Sequence, residues 1–113
     1  MEKRTIGKSG IEVSAMAMGA WAIGGGITWG ENDDEESIRS IHCALDCGIT
    51  WIDTAPAYGL GHSEEVVGRA LKGRRDKVVV STKCGLQWYD GEGTLHMKRD
   101  GAVIMRNLSP KSI

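Results

Sequence analysis

The sequence predicts an α/β fold with a parallel sheet, and two observations carry that prediction. Short apolar segments alternate with amphipathic segments of helical period, in the order strand, helix, strand, helix, strand. Such alternation is typical of right-handed βαβ units, whose strands pair in parallel. The last strand segment, DKVVVSTK, is continuously apolar in its centre, as strands buried on both faces are.

The amino-terminal residues predict a hairpin followed by the first strand of this sheet. KRTI and IEVS flank GKSG, and the turn is expected at Ser9 and Gly10. The segment VSAMAMGAW is then predicted to form a strand that ends in the glycine-rich loop GGGITWGEND. This loop lacks the GxGxxG spacing, so it does not indicate a Rossmann dinucleotide site.

Two amphipathic helices are predicted between the strands. The first covers residues 33–47, with acids in its first turn, where they face the positive end of the helix dipole, and Gly48 at its end. The second begins at Ser63 as its N-cap and ends at Gly73. Apolar residues recur at helical spacing in both segments.

The carboxy-terminal part of the chain predicts a long loop and then the start of a helix. Residues 84–108 are assigned to the loop, and Ser109 and Pro110 to the N-cap and first position of the helix. Because the chain stops there, we expect these 113 residues to be the front part of a longer protein of roughly 300 residues.

Composition and charge exclude several classes of function. The formal net charge is −1, which indicates neither a nucleic acid nor an anionic membrane as partner. MEKRTIGKSG lacks the apolar core of a signal peptide, and AMAMGAWAIGGG is too short to span a bilayer. A cytoplasmic protein is therefore expected. Three cysteines without a CxxC motif predict neither a disulfide framework nor a metal site.

Three polar side chains are expected to meet at the carboxyl ends of the strands. Asp53 ends the second strand and Lys83 the third, and neighbouring parallel strands lie about 4.8 Å apart, so an ion pair is within reach. Tyr58, in the following loop, can fold back over both. A free tyrosine has a pKa near 10, and a nearby cation stabilises its phenolate, which makes it a usable proton donor. A purely structural ion pair with a packed tyrosine fits the same spacing.

A longer stretch of the sequence, around Asp53, Tyr58 and Lys83, resembles that of a known family. DTAPAYGLGHSEEVVGRAL followed by VVVSTK closely resembles the aldo-keto reductase signature, and RTIGKSGIEVS and MGAW extend the match over nearly the whole chain. The resemblance implies an α/β fold consisting of an N-terminal hairpin and the first three βα units of a (β/α)8 TIM barrel. Residues 1–113 would then be the N-terminal part of a single barrel domain, too short to close or to be active alone.

The same resemblance implies an activity and a site. It implies reduction of aldehydes or ketones to alcohols by hydride transfer from NADPH, with NADH not excluded. Tyr58 would donate the proton, Lys83 would support the tyrosine, and Asp53 would orient the lysine. The residues expected near the nicotinamide end of the cofactor are Asp53 and the three at the end of the first strand, Gly19, Ala20 and Trp21.

Several features of the family pattern fall outside this sequence or stay open. The family's catalytic histidine would lie beyond Ile113, and neither His62 nor His96 occupies its position. Trp29 and Trp88 are candidates for the wall of a substrate pocket, although the long loop that carries Trp88 is equally compatible with a surface excursion. The oligomeric state is not predicted. Two alternatives to the enzyme remain: a channel-associated subunit that binds cofactor with little turnover, and a fragment that acts only as an interaction module.

Overall fold

The computed structural model describes all 113 residues and opens with the expected hairpin. Strands β1 (Lys3–Thr5) and β2 (Glu12–Ser14) pair antiparallel. Ser9 holds the turn, since its Oγ donates to the Ile6 carbonyl at 2.6 Å. The hairpin is attached to the rest of the fold at Ser14, whose backbone N–H donates to Thr50 Oγ1 at 3.0 Å. The prediction of a hairpin is confirmed.

The main sheet is parallel, as predicted, and its three strands follow the order of the chain. They are β3 (Met18–Gly19), β4 (Trp51–Asp53) and β5 (Val79–Ser81). The first is shorter than predicted because residues 12–14 belong to the hairpin and the chain bends before Met18. The sheet is open, with β3 and β5 as its edges, so the described chain forms no closed barrel.

Helices α1 (Gly26–Trp29), α2 (Asp34–Asp46) and α3 (His62–Ala70) complete the α/β part, and α2 packs against α3. Asp33 caps α2, because its Oδ1 accepts from the backbone N–H groups of Glu35 and Glu36. No helix is both long and apolar enough to cross a membrane. One apolar core joins sheet and helices, and its buried members are Ala20, Ile23, Ile41, Ile52, Val66, Val67, Ala70, Leu71 and Val78.

The start of α3 differs from the sequence prediction. Gly61, with a φ of 98°, is the N-cap, and Ser63 lies inside the helix. Ser63 is fully buried, its Oγ donates to the Ala20 carbonyl at 2.7 Å, and it lies 3.0 Å from Thr54 Oγ1. The hydroxyl therefore ties the helix to the ends of two strands instead of capping the helix.

The predicted loop at 84–108 is wrong, because most of it forms a second, antiparallel sheet. Its strands are β6 (Leu86–Gln87), β7 (Thr94–Arg99) and β8 (Ala102–Arg106), in the order β6-β8-β7. Asp100 and Gly101 have φ values of 49° and 77°, as a two-residue hairpin turn requires at both positions.

The helix start predicted at Ser109 is a turn in the structure. The Ser112 and Ile113 N–H groups both donate to the Ser109 carbonyl, at 2.9 and 3.3 Å, but no helix is formed. The side-chain acceptor at this turn is Asn107, whose Oδ1 accepts from the Ser109 N–H at 3.0 Å. The predicted role of Ser109 as N-cap is therefore wrong.

Candidate active site

The parallel register brings the polar residues of the three strand ends to one level. Gly19 lies opposite Asp53, and Asp53 lies opposite Ser81. The expected Asp53–Lys83 ion pair is present, with 2.8 Å between Asp53 Oδ2 and Lys83 Nζ. Lys83 Nζ also donates to the Thr54 carbonyl at 2.8 Å. Two acceptors therefore fix the ammonium at the carboxyl edge of the sheet.

The two charges stabilise each other although both side chains are partly open to solvent. The hydrogen bond from Lys83 lowers the pKa of Asp53, and this outweighs the opposing effect of burial, with a further contribution from Ser81. Burial is the largest single effect on Lys83 and lowers its pKa, but Asp53 and Tyr58 together outweigh it and raise the value overall. Both groups are therefore charged at neutral pH.

Tyr58 lies over this pair, as the sequence suggested it could. Lys83 Nζ lies 4.9 Å from the centroid of the Tyr58 ring. The loop that carries Tyr58 is pressed against the glycine-rich loop, since a Cβ on Gly59 would lie 2.1 Å from the Gly24 carbonyl oxygen. Gly59 has a φ of 63°, which also favours glycine. The glycines thus permit the backbone contact that places Tyr58, a role that spacing did not reveal.

An exposed aromatic cluster continues from Tyr58 along the edge of the sheet. Trp21 stacks on Tyr58, with 6.1 Å between ring centroids, and Trp29 meets Trp21 edge to face at 5.6 Å. Trp21 is 44% exposed and Trp29 is 50% exposed, so two large apolar side chains face solvent beside the ion pair. Trp88 is half-buried and does not join this cluster.

A contact from the second sheet fixes the loop that carries Trp29. Asp100, at the tip of the β7–β8 hairpin, accepts a hydrogen bond at its Oδ1 from the Ile27 N–H at 2.9 Å. Ile27 belongs to the single helical turn α1, which ends at Trp29. The hairpin therefore anchors the α1 turn that carries one wall of the aromatic cluster.

Replacing Asp100 with glycine should release this anchor without harming the hairpin turn. Glycine readily adopts the φ of 49° at this position but offers no acceptor to Ile27. Amide hydrogen exchange at Ile27 should become several-fold faster, whereas Asp100→Asn, which keeps an acceptor oxygen, should change it less. Unchanged exchange in Asp100→Gly would show that the contact does not restrain the turn.

The side chains that could bind a metal ion do not come together at one site in the fold. Cys43, Cys47 and Cys84 are free and exposed, and no three His, Cys, Asp or Glu side chains are grouped so that they could hold a metal ion. His62 bonds to Asp34 at 2.7 Å, which links α3 to α2. His96 Nδ1 accepts from Arg106 in the second sheet at 3.0 Å.

The comparison with known proteins now identifies the family. The model of the aldo/keto reductase family matches residues 15–110, and the chain belongs to that family. Aldo-keto reductase YhdN of Bacillus subtilis is 50% identical over 88% of this chain and 30% of its own length. The NADH-specific methylglyoxal reductase of Escherichia coli is 47% identical over 100% of this chain and 35% of its own length.

Solved structures agree with that assignment. Glycerol dehydrogenase AKR11B4 from Gluconobacter oxydans matches with a TM-score of 0.76 and 43% identity, over 97% of this chain and 32% of its own. An aldo-keto reductase from Klebsiella pneumoniae in complex with NADPH matches with a TM-score of 0.59 and 34% identity, over 73% and 28%. The chain spans about a third of the length of these relatives.

Proposed function

We propose that the intact protein reduces aldehydes or ketones to alcohols with a reduced nicotinamide cofactor. In this proposal Tyr58 donates the proton, Lys83 assists it, and Asp53 holds Lys83 in place. One observation carries the proposal: the lysine ammonium bonds to a carboxylate at 2.8 Å and lies 4.9 Å from the tyrosine ring. A phenol, an ammonium and a carboxylate thus lie together at the carboxyl ends of the strands, where enzymes with this type of barrel have their active sites, and this supports the proposal.

The residues at this edge suit a nicotinamide ring. A Cβ built on Gly19 would meet nothing within 4 Å, so there is open space in front of the end of β3. The partly exposed Trp21 offers a flat apolar surface beside it. We propose that Gly19, Trp21 and Asp53 contact this end of the cofactor, which supplies the hydride when bound. Ala20, which the sequence also suggested for this contact, is fully buried in the apolar core and supports the end of the strand from behind.

The choice of cofactor rests on relatives that differ. The Escherichia coli relative is NADH-specific by name, and the Klebsiella pneumoniae structure contains NADPH. We propose NADPH, as the sequence resemblance implied, with NADH as the alternative. Parallel assays with the two cofactors decide between them.

Residues of this chain supply the proton that the reduction requires. As negative charge develops on the carbonyl oxygen, the Tyr58 hydroxyl donates its proton to that oxygen. The Lys83 ammonium stabilises the phenolate that remains. Asp53 keeps the ammonium charged and in place, because their contact lowers the pKa of the acid and raises that of the base. Trp21 and Trp29 shield the reacting atoms from water on one side.

The substrate is proposed to be a small carbonyl compound. A cavity of about 160 Å³ adjoins Tyr58 and Lys83, and Pro56 and Leu86 contribute apolar walls. Trp29 and Trp88 do not line this cavity. Trp29 is proposed to form a wall of the substrate pocket on the side of the aromatic cluster, to which Trp88 does not belong. We also propose that residues 1–113 form the first part of a complete (β/α)8 barrel and that the protein is cytoplasmic.

The test is carbonyl-dependent oxidation of NADPH and NADH by the intact protein. Methylglyoxal and a simple aromatic aldehyde are suitable probes, and the reverse reaction with glycerol gives a third. Turnover with at least one carbonyl is expected. Binding of nucleotide without turnover of any probe would contradict the proposal and support the accessory, channel-subunit-like role instead.

The cofactor site can be tested separately by fluorescence. Because Trp21 lies in the proposed nicotinamide pocket, NADPH should quench tryptophan emission, and most of that quenching should disappear in Trp21→Phe. Trp88→Phe is the matched control, since it removes a tryptophan that lies outside the aromatic cluster. Equal loss of quenching in the two variants would remove Trp21 from the pocket.

A further inference from the structure

A chain of hydrogen bonds reaches Asp53 from the side opposite Lys83. The Trp51 indole Nε1–H donates to Ser81 Oγ at 2.9 Å. Ser81 Oγ in turn donates to Asp53 Oδ1 at 2.7 Å. The other carboxylate oxygen, Oδ2, accepts from Lys83 Nζ at 2.8 Å. Each oxygen of the carboxylate thus has its own donor, and the Ser81 side chain forms no hydrogen bond to Lys83 or Tyr58.

The direction of this chain follows from the chemistry of its members. An indole N–H can only donate, so Ser81 must act as the acceptor toward Trp51. A serine hydroxyl carries one proton, and Asp53 Oδ1 at 2.7 Å is a far better acceptor for it than the Ile52 carbonyl at 3.5 Å. The hydroxyl proton is therefore directed at the carboxylate.

The strands make this arrangement possible. Asp53 and Ser81 are register partners on the parallel strands β4 and β5, and Trp51 shares a face of β4 with Asp53 because side chains alternate along a strand. The neighbouring residue Thr82 does not take part, since its hydroxyl donates to Glu64 Oε1 at 2.5 Å. The chain of hydrogen bonds from Trp51 to Asp53 therefore lies on the same face of the sheet as the Asp53–Lys83 ion pair.

We propose that Ser81, itself oriented by the Trp51 indole, is a positioning residue that holds the Asp53 carboxylate in the orientation in which it binds Lys83. This inference rests on the proposed function, since it assigns Ser81 a role in the same proton-handling site. Ser81 acts through Asp53 and touches none of the reacting atoms. The carboxylate oxygen that faces Ser81 would otherwise have no protein donor, and the carboxylate could rotate away from the lysine.

Loss of the hydrogen bond from Ser81 should change the pKa of Asp53 in a known direction. Lys83 has the largest lowering effect on the pKa of Asp53, and the Ser81 hydrogen bond adds to it. Removing the hydroxyl should therefore raise that pKa and let Asp53 protonate at a higher pH. The acid limb of kcat/KM should shift in the same direction, because a protonated Asp53 no longer holds Lys83.

The experiment compares Ser81→Ala with Thr82→Ala in the intact protein. Both remove one hydroxyl from adjacent positions, but only the first hydroxyl contacts Asp53. The Asp53 carboxyl resonance is titrated by NMR without cofactor, and kcat/KM is measured against pH. Ser81→Ala should raise the Asp53 pKa, shift the acid limb upward and reduce kcat/KM about tenfold, whereas Thr82→Ala should do none of these. Ser81→Thr, which keeps the hydroxyl, should restore most of the loss.

The outcomes separate this inference from the proposed function. Equal titration curves for Ser81→Ala and Thr82→Ala would overturn the role of Ser81, whatever the activity. Trp51→Phe should produce a smaller shift of the same sign, because the serine keeps its proton but loses its fixed direction. Absence of carbonyl reduction in the unmodified protein would overturn the proposed function, and the NMR titration would still decide the role of Ser81.

Discussion

Replacing Tyr58 with phenylalanine should lower kcat/KM for carbonyl reduction by at least about 100-fold, the usual contribution of a general acid. The substitution removes one oxygen and keeps the ring, so the stacking on Trp21 at 6.1 Å should survive. Cofactor affinity and the free energy of unfolding should therefore change little. Steady-state kinetics with an aromatic aldehyde, together with NADPH titration, measure both quantities.

The matched control for this variant is Tyr89→Phe. Tyr89 follows strand β6 and is 71% exposed, and its hydroxyl should have no role in the reaction. If Tyr58→Phe and Tyr89→Phe retain similar activity, another group must supply the proton. Tyr58 would then be only a packing partner of Trp21 and Lys83.

Replacing Gly59 with alanine should strongly destabilise the protein, because the substitution combines backbone strain with a steric collision. The new methyl group would lie 2.1 Å from the Gly24 carbonyl oxygen, and the φ of 63° is unfavourable for alanine. Strained backbone and overpacking each cost about 1–3 kcal/mol, so together we expect a loss of about 2–6 kcal/mol. Denaturant unfolding of the intact protein gives this quantity.

The chain provides a control that separates strain from collision. Gly61 also has a positive φ, of 98°, but a Cβ there would meet nothing within 4 Å. Gly61→Ala should therefore carry the backbone cost alone and be clearly less destabilising than Gly59→Ala. Similar losses in the two variants would show that the contact between the two loops does not restrain the position of Tyr58.

The α/β class and the Asp53–Lys83 contact could be predicted because both follow from local rules. Alternation along a strand and the spacing between parallel strands depend on the backbone alone, and they place Asp53 within reach of Lys83. The roles of these residues in catalysis are not settled by their position, and they stay predictions.

Other features depend on contacts between distant segments. Ser63 has the residue type of an N-cap, but the Ala20 carbonyl lies next to it in the fold, and burial of the hydroxyl overrides the local preference. The close approach of Gly24 and Gly59, and the stacking of Trp21 on Tyr58, likewise appear only when the loops meet. Residue types and spacing carry no information about these contacts.

The second sheet is a different case, because a local signal for it was present. Asp100 and Gly101 form an Asp-Gly pair between two segments rich in Val, Ile, Leu and Met, which is a strong indication of a two-residue hairpin. Much of this sheet is exposed, including the apolar side chains of Leu95, Met97 and Val103.

The most direct test of the central claim is a double-mutant comparison of Tyr58→Phe, Lys83→Met and the two together, with kcat/KM for one aldehyde as the measured quantity. If Lys83 acts through Tyr58, its substitution should cost little once the tyrosine hydroxyl is gone, because residues that act as a unit do not contribute separately. The account predicts that the double variant is about as active as Tyr58→Phe alone. Losses that simply multiply would contradict it and leave the Asp53–Lys83 pair with a structural role only.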